Sequence, residues 1–256
     1  MRRLDRNSER RLPNPSSPAI LADRVRSACE DVLHSDQSSD RASRIAAEAA
    51  KQADVERSCL VDQDPTAADV ACRKGCSYCC HMRTLASPPE VLLLAQHIRD
   101  SRDETALEVL IAHLGKTREL AQGQTDESHG KARIACALLE DGACVAYDFR
   151  PLECRGYTSP NVDACKAGYD DYDQWNVPVH VHHYSVFKNT QAGLIMACVG
   201  ESLSHEILEL NTALHIALTN DNAADRWLCG EDIFRDAALP ATDPASAALQ
   251  PWTPNF

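Results

Sequence analysis

The sequence lacks the features that mark an exported or membrane-spanning protein. Its first residues, Met1 to Arg11, are polar and arginine-rich, and the apolar segment of about 7 to 15 residues that a signal peptide requires does not follow them. The longest apolar stretches, Val91 to Ala95 and Ala192 to Val199, are much shorter than the ~18 residues needed to cross a bilayer. We therefore expect a cytoplasmic protein that does not enter a membrane.

Positive charge is also scarce. The chain has 26 lysine and arginine residues against 38 aspartate and glutamate residues, which gives a net charge of −12 at pH 7. Nucleic-acid binding depends on cationic side chains that neutralise phosphates, so we expect no nucleic-acid partner. The one basic stretch lies within residues 1–17, where we predict a disordered tail. A glycine-rich phosphate loop, a nucleophile elbow and internal repeats are all missing, so no such motif identifies an enzyme.

Cysteine, by contrast, is abundant. The chain has 12 cysteines in 256 residues, and eight of them fall in two runs. A chain of this length buries a core without disulfides, and clustered thiols in a reducing cytosol bind metal more often than they pair. Thiolates favour Zn²⁺ and iron–sulfur clusters. We predict that the chain binds zinc or iron, including iron in an iron–sulfur cluster, through Cys72, Cys76, Cys79, Cys80, Cys136, Cys144, Cys154 and Cys165.

The spacing of these cysteines predicts that the two runs depend on each other. Cys76 and Cys79 have the C-x2-C spacing that chelates one ion from a single knuckle. We expect the adjacent side chains of Cys79 and Cys80 to diverge, so that the first run needs ligands from the second. An Asp141-Gly142 turn would bring Cys136 and Cys144 together. Eight thiolates suit two four-cysteine sites or one polynuclear site.

Basic residues follow the cysteines in an otherwise acidic chain. A metal bound by four thiolates carries net negative charge, so cations beside it are favourable. We expect Arg150 and Arg155 to lie around the ligands, with Tyr147 bordering the site; Arg73, Lys74 and Lys166 are also close to cysteines in sequence.

Both runs resemble the YkgJ-type cysteine-cluster family in order and spacing. The matching features are the run from Cys72 to Cys80, the helix start at Pro89-Glu90 and the segment 136–155; the resemblance covers residues 68 to 168. The first spacing departs from the family, with C-x3-C in place of C-x2-C. The resemblance implies a zinc- or iron-chelating domain with the eight cysteines as ligands. Flagellin lysine N-methylase belongs to this family, so an iron–sulfur-dependent enzyme that modifies a protein substrate is the alternative.

Two further interpretations use the same residues. Cys72-x3-Cys76-x-Tyr78-Cys79 also fits the C-x3-C-x-aromatic-C signature of radical S-adenosylmethionine enzymes, but helical sequence precedes it and few strands are available for their β/α barrel. Alternatively, the chain is a metal-stabilised module that binds a protein partner without any chemistry. The sequence leaves open whether the chain is an enzyme and identifies no catalytic residue.

The fold class that the sequence predicts is mainly α, with helices bracketing an irregular, metal-organised, cysteine-rich insert. We predict one domain over residues 18–238, with its cluster core at 68–168, and a disordered tail at 239–256. Alanine-rich sequence from Pro18 to about Val61 indicates two helices that break near Ser35 to Ser39. Ser87 and Glu90 predict a capping box at the start of another helix.

Three more segments carry periodic patterns. Apolar residues from Leu107 to Leu114 indicate an amphipathic helix, and a stripe from Leu203 to Ala217 predicts a helix of about four turns. Alternation from Val177 to Phe187 predicts a short strand with His180 and His182 on one face. Surface histidines are the favoured interpretation there, and a further metal position or a general base is the alternative.

Overall fold

The protein is mainly α-helical, as predicted, in a computed structural model that describes residues 17–35 and 37–249. Over these ranges the α-helices are α1 (Pro18–Ser35), α2 (Arg41–Gln63), α3 (Pro88–Ser101), α4 (Glu104–Ala121), α5 (Asp126–Ala132), α6 (Leu152–Gly156), α7 (Val162–Asp170), α8 (Val181–Gly200), α9 (Leu210–Thr219) and α10 (Ala223–Leu228). The strands are β1 (Leu85–Ala86), β2 (Leu139–Glu140), β3 (Ala143–Cys144) and β4 (Leu208–Glu209). Short 3-10 helices lie between several of them.

The long helices share one apolar core. Helices α1, α2 and α8 pack against one another, α2 also contacts α3, and α9 lies against α3 and α4. Side chains such as Ile45, Leu94, Leu194 and Leu214 are fully buried where these helices meet. Gly193 permits the close contact of α8 with α1, because a Cβ atom at that position would lie 2.4 Å from the main-chain oxygen of Ala22. This core is the rigid support for the cysteine-bearing segments.

Several local predictions are confirmed. The first two helices break at the predicted segment, and the side chains of Ser87 and Glu90 form a capping box at the start of α3. The Asp141-Gly142 turn joins β2 to β3 with φ values of 49° and 76°, a pair of left-handed conformations that suits a tight hairpin.

Two predicted elements are wrong. The segment predicted as a strand from Val177 to Phe187 instead enters α8, with His180 as the N-cap residue, so the proposed strand face of histidines does not exist. The stripe from Leu203 to Ala217 is helical only from Leu210. Its first part is an irregular segment and β4, which pairs antiparallel with β1, and this extended backbone buries Leu203 and Ile207 without a helix.

The cysteine-bearing segments are partly helical. Cys79 and Cys80 lie in a 3-10 turn and Cys144 lies in the β2–β3 hairpin. Cys154 and Cys165, which belong to the insert predicted to be irregular, lie on the short helices α6 and α7. The irregular insert is therefore less irregular than predicted, and its organisation by metal stays a prediction.

The structure describes only part of the C-terminal predicted tail and almost none of the N-terminal one. Residues 1–16 and 250–256 of these tails lie outside the described residues. The predicted C-terminal tail nevertheless begins with ordered structure, a 3-10 helix at Pro244–Leu249. Arg83 holds this segment through Asp243, with Nη1 to Oδ2 at 2.8 Å and Nη2 to Oδ1 at 3.1 Å. None of the helices in the described ranges has the length and apolar character to span a membrane.

Candidate functional site

The two cysteine runs meet directly in the folded chain. The main-chain N–H of Cys136 donates to the carbonyl of Cys80 at 2.8 Å. On the other side of the first run, the N–H of Ser159 donates to the Cys72 sulfur at 3.3 Å, and the Ser159 carbonyl accepts from the N–H of Ala71 at 2.8 Å. The first run therefore lies between the start of the second run and the segment that joins its last two cysteines.

A buried glutamate fixes the helix that carries Cys154. Glu90 Oε2 accepts from the N–H of Ser87 at 2.8 Å and from its hydroxyl at 2.6 Å, which completes the cap of α3. Glu90 Oε1 accepts from the N–H of Leu152 at 2.6 Å, at the first turn of α6. One carboxylate thus satisfies the N-terminal donors of two helices and sets the position of Cys154. The sequence predicted only the capping role.

A second buried network positions Cys136. The Asn211 side-chain oxygen accepts from the N–H of Ala137 at 2.9 Å. Asn211 is itself held by Glu209, whose Oε1 accepts from the Asn211 N–H at 3.0 Å and from its side-chain amide at 2.9 Å. The start of α9 therefore anchors the backbone beside Cys136.

The thiols of both runs are close enough to repel one another when charged. Desolvation is the largest cause of the raised pKa of Cys72, Cys76, Cys136, Cys154 and Cys165, and the Cys79 charge adds to it at all five, which places Cys79 at the centre of this group. The Cys144 charge in turn raises the pKa of Cys136. All eight predicted ligands are therefore linked through their thiols, since Cys80 also raises the pKa of Cys79, mainly through a hydrogen bond and then through its charge.

The adjacent cysteines do not diverge as predicted. A hydrogen bond with Cys80 is the largest cause of the raised pKa of the Cys79 thiol, followed by burial. The two thiols are therefore within hydrogen-bond reach of each other, in the 3-10 turn at Tyr78–His81. The contact between the two runs rests on the hydrogen bonds described above rather than on divergence within the first run.

Burial raises the pKa of most of these thiols, and Arg150 opposes that rise. Desolvation is the largest cause at Cys136, where it raises the pKa to about 12, and also at Cys72, Cys144 and Cys154. The Arg150 guanidinium lowers the pKa of Cys72, Cys79, Cys144 and Cys154. A single guanidinium group therefore stabilises the thiolate form of cysteines in both runs.

The other residues predicted around the cluster have separate roles. Tyr147 supports Arg150, since its carbonyl accepts from Arg150 Nε at 2.8 Å and its ring lies 3.6 Å from the guanidinium carbon. Arg155 donates from Nε to the Arg150 carbonyl at 2.9 Å and pairs with Asp54 at 3.4 Å. Arg155 therefore fixes the Arg150 backbone rather than facing the thiols.

The eight cysteine thiols are chemically suited to bind zinc or iron, but they are not arranged in a ligation geometry. Over residues 17–35 and 37–249, no three His, Cys, Asp or Glu side chains stand in an arrangement that could already hold a metal ion. The eight cysteines are free, and each is half-buried as a residue. Soft sulfur donors near one arginine fit the preference of Zn²⁺ and iron–sulfur centres, and the thiols would have to come closer together to bind them.

The remaining four cysteines lie elsewhere, whereas His81 directly follows Cys80 in the 3-10 turn of the first run, with its ring 4.7 Å from that of Tyr169. Cys29, Cys59 and Cys198 are buried on the long helices, and Cys229 is exposed. His129 and His183 are both buried, and the pKa of His183 is lowered to about 4, mainly by desolvation and then by the His180 charge.

A cavity of about 470 Å³ lies beside the cluster, with Cys79 and Cys154 in its wall. Its other lining residues include Glu153 on α6 and the pair Tyr184 and Lys188 on α8. Sequence reasoning missed this pair, because the segment containing Tyr184 was predicted as a strand. The i, i+4 spacing of Tyr184 and Lys188, a helical neighbour relation, is the signal that could have found it.

Comparisons with family models, curated proteins and solved structures find no match to this chain. The resemblance to the YkgJ-type family stays a prediction.

Proposed function

We propose that this protein binds zinc or iron through its eight clustered cysteines. The metal would join the segment that holds Cys72, Cys76, Cys79 and Cys80 to the segment that holds Cys136, Cys144, Cys154 and Cys165. The resemblance to the YkgJ-type family agrees with this function.

The observation that carries the proposal is the convergence of the two runs. They are about 60 residues apart in sequence, yet a main-chain hydrogen bond of 2.8 Å joins Cys136 to Cys80. Burying several thiols together is unfavourable for their thiolate forms, as the raised pKa values of Cys136 and Cys154 indicate. A bound cation offsets that cost, because it stabilises the thiolates that ligate it.

A bound Zn²⁺ would supply folding energy, and an iron–sulfur centre would add electron transfer. In either case Arg150 would balance the negative charge of the thiolates, with Tyr147 stacked behind it. Glu90 and Asn211 would hold the backbone beside Cys154 and Cys136 in place.

The alternative, an iron–sulfur-dependent enzyme that modifies a protein side chain in the manner of a lysine N-methylase, has one structural observation in its favour. The cavity of about 470 Å³ exposes Cys79 and Cys154 to a molecule from outside, whereas a purely structural metal site is closed.

Anaerobic purification followed by elemental analysis and a visible spectrum tests the proposal. Eight thiolates at four per ion predict about two zinc ions per chain and no colour. Stoichiometric iron and sulfide with broad absorption near about 400 nm would instead favour the iron–sulfur enzyme. A folded protein that retains neither metal would overturn metal binding altogether.

Serine variants locate the metal. Cys79→Ser should lower the metal content, because Cys79 is the centre of the cluster. Cys229→Ser, an exposed cysteine outside both runs, is the matched control and should leave the metal content unchanged. Equal metal content in both variants would contradict the assignment of the eight ligands.

A further inference from the structure

The cavity beside the cluster has a wall of aromatic rings. Tyr157, Tyr172 and Tyr184 line it together with apolar side chains that include Met82 and Leu85, and we call it the tyrosine cavity. Its volume of about 470 Å³ falls in the range of about 300–1,000 Å³ that is usual for small-molecule sites. A partly apolar small molecule would therefore fit it.

Two of the rings are held in place before any ligand binds. Tyr172 lies against Gly130, where a Cβ atom would meet the ring at 2.1 Å, and its ring stacks with that of Trp175 at a centroid distance of 5.9 Å. Trp175 Nε1 donates to the Tyr157 hydroxyl at 3.3 Å. The cavity thus offers aromatic rings that are positioned before a ligand binds, and a planar molecule can pack against such rings.

A carboxylate and an ammonium group stand side by side in the same wall. Glu153 Oε2 accepts from the N–H of Leu85 at 2.9 Å, while Oε1 lies 4.0 Å from Lys188 Nζ, beyond hydrogen-bond distance. The side chains of Glu153 and Lys188 are 23% and 12% exposed. Lys188 donates only a long bond of 3.4 Å, to Gln191, and Oε1 accepts no hydrogen bond within the described part of the chain. An acceptor and a donor therefore remain available next to each other.

The other cation of the cavity is already neutralised. Arg83 pairs with Asp126 at 2.6 Å and with Asp243 at 2.8 Å. Because the opposite charges of Glu153 and Lys188 also offset each other, the cavity favours neither an anion nor a cation. A neutral ligand with both a donor and an acceptor matches these groups best.

We propose that the tyrosine cavity binds a neutral planar heterocycle in which an N–H group adjoins a carbonyl group, as in a lactam. The N–H donates to Glu153 Oε1, the carbonyl accepts from Lys188 Nζ, and the ring lies against the tyrosines. Cys79 and Cys154 border the bound ring, but the interaction does not depend on a metal.

Fluorine NMR with 5-fluoro-2-pyridone as the probe tests this inference on the full chain. We expect line broadening that saturates with a Kd in the range of about 1 mM, as for other fragments of this size. The N-methyl derivative lacks the donor and should bind at least about fivefold more weakly. Absence of binding at about 10 mM, or equal binding of the two probes, would overturn the proposal.

Variants localise the binding. Lys188→Met keeps an unbranched side chain of similar length and removes its donor, so the affinity for 5-fluoro-2-pyridone should fall at least about fivefold. Lys116→Met, at an exposed position on α4, is the matched control and should bind normally. Ala245→Phe narrows the cavity from the C-terminal segment and should abolish binding. Undiminished binding in Lys188→Met or Ala245→Phe would place the probe elsewhere and refute the assignment.

The metal content of each sample is measured alongside. Probe binding by a metal-free protein would support the tyrosine cavity as a ligand site. It would count only against the proposed metal-binding function. Metal binding without probe binding would support the proposed function and overturn the assignment of the tyrosine cavity.

Discussion

Removing the Glu90 carboxylate should destabilise the protein strongly, because three donors depend on it. Glu90, Ser87 and Leu152 are all buried, and Glu90 is only 4% exposed. Glu90→Ala leaves the main-chain N–H groups of Ser87 and Leu152 without an acceptor. Each unsatisfied buried group costs about 1–3 kcal/mol, so we expect a loss of about 2–6 kcal/mol in the free energy of unfolding.

Urea denaturation of matched variants measures this loss. Glu104→Ala makes the same change in the first turn of α4, at an exposed site, and should stay within about 0.5 kcal/mol of the parent. Glu90→Gln keeps one carbonyl acceptor and should recover part of the lost stability. The reasoning would be refuted if Glu90→Ala and Glu104→Ala unfolded at the same urea concentration.

Three further predictions concern the supports of the cluster. Asn211→Ala removes the acceptor of the Ala137 N–H and should cost about 1–3 kcal/mol in urea denaturation, whereas a cost below about 0.5 kcal/mol would show that the bond is not needed. Gly142→Ala places a side chain at a φ of 76° and should lower the unfolding free energy by about 1–2 kcal/mol; an unchanged unfolding midpoint would contradict the hairpin geometry. His183 is neutral when folded, with its pKa lowered to about 4 by desolvation and then by the His180 charge, but it binds a proton below about pH 6.5 when unfolded. Stability should therefore fall as the pH drops from about 6.5 to about 4, by up to about 1.4 kcal/mol per pH unit from this group, and His183→Gln should show a shallower dependence; parallel pH profiles would refute this.

Local sequence signals correctly predicted the elements whose ends carry residues typical of a helix cap or a tight turn. The serine and glutamate at the start of α3 form the expected capping box, and the Asp141-Gly142 turn forms the expected hairpin. The same signals could not reveal that Glu90 also accepts from Leu152, because that contact spans 62 positions and depends on the tertiary fold.

The two incorrect secondary-structure predictions have physical explanations. Helix α8 is buried on most of its surface, so its sequence does not show the one-sided apolar stripe of an exposed helix, and the alternation before it imitated a strand. The stripe from Leu203 to Ala217 has helical spacing, but β4 buries its first half through pairing with β1. Tertiary packing decided both cases over local pattern.

The cysteines were identifiable from their clustering, and the tyrosine cavity was not. Its wall combines residues from α6, α8 and the C-terminal segment, whose distances in space no local pattern encodes. The hydrogen bond between the adjacent thiols of Cys79 and Cys80 was equally hidden, because it depends on side-chain conformations that sequence spacing does not encode.

The central claim, that the two cysteine runs hold metal jointly, is tested most directly by removing one run and measuring metal on the other. In the variant with Cys136, Cys144, Cys154 and Cys165 all changed to serine, circular dichroism verifies that the helices persist, and elemental analysis then counts the metal that remains. A shared site predicts that the helical variant retains essentially no zinc or iron, although all four cysteines of the first run are intact. Retention of half or more of the parent's metal by the first run alone would contradict the account.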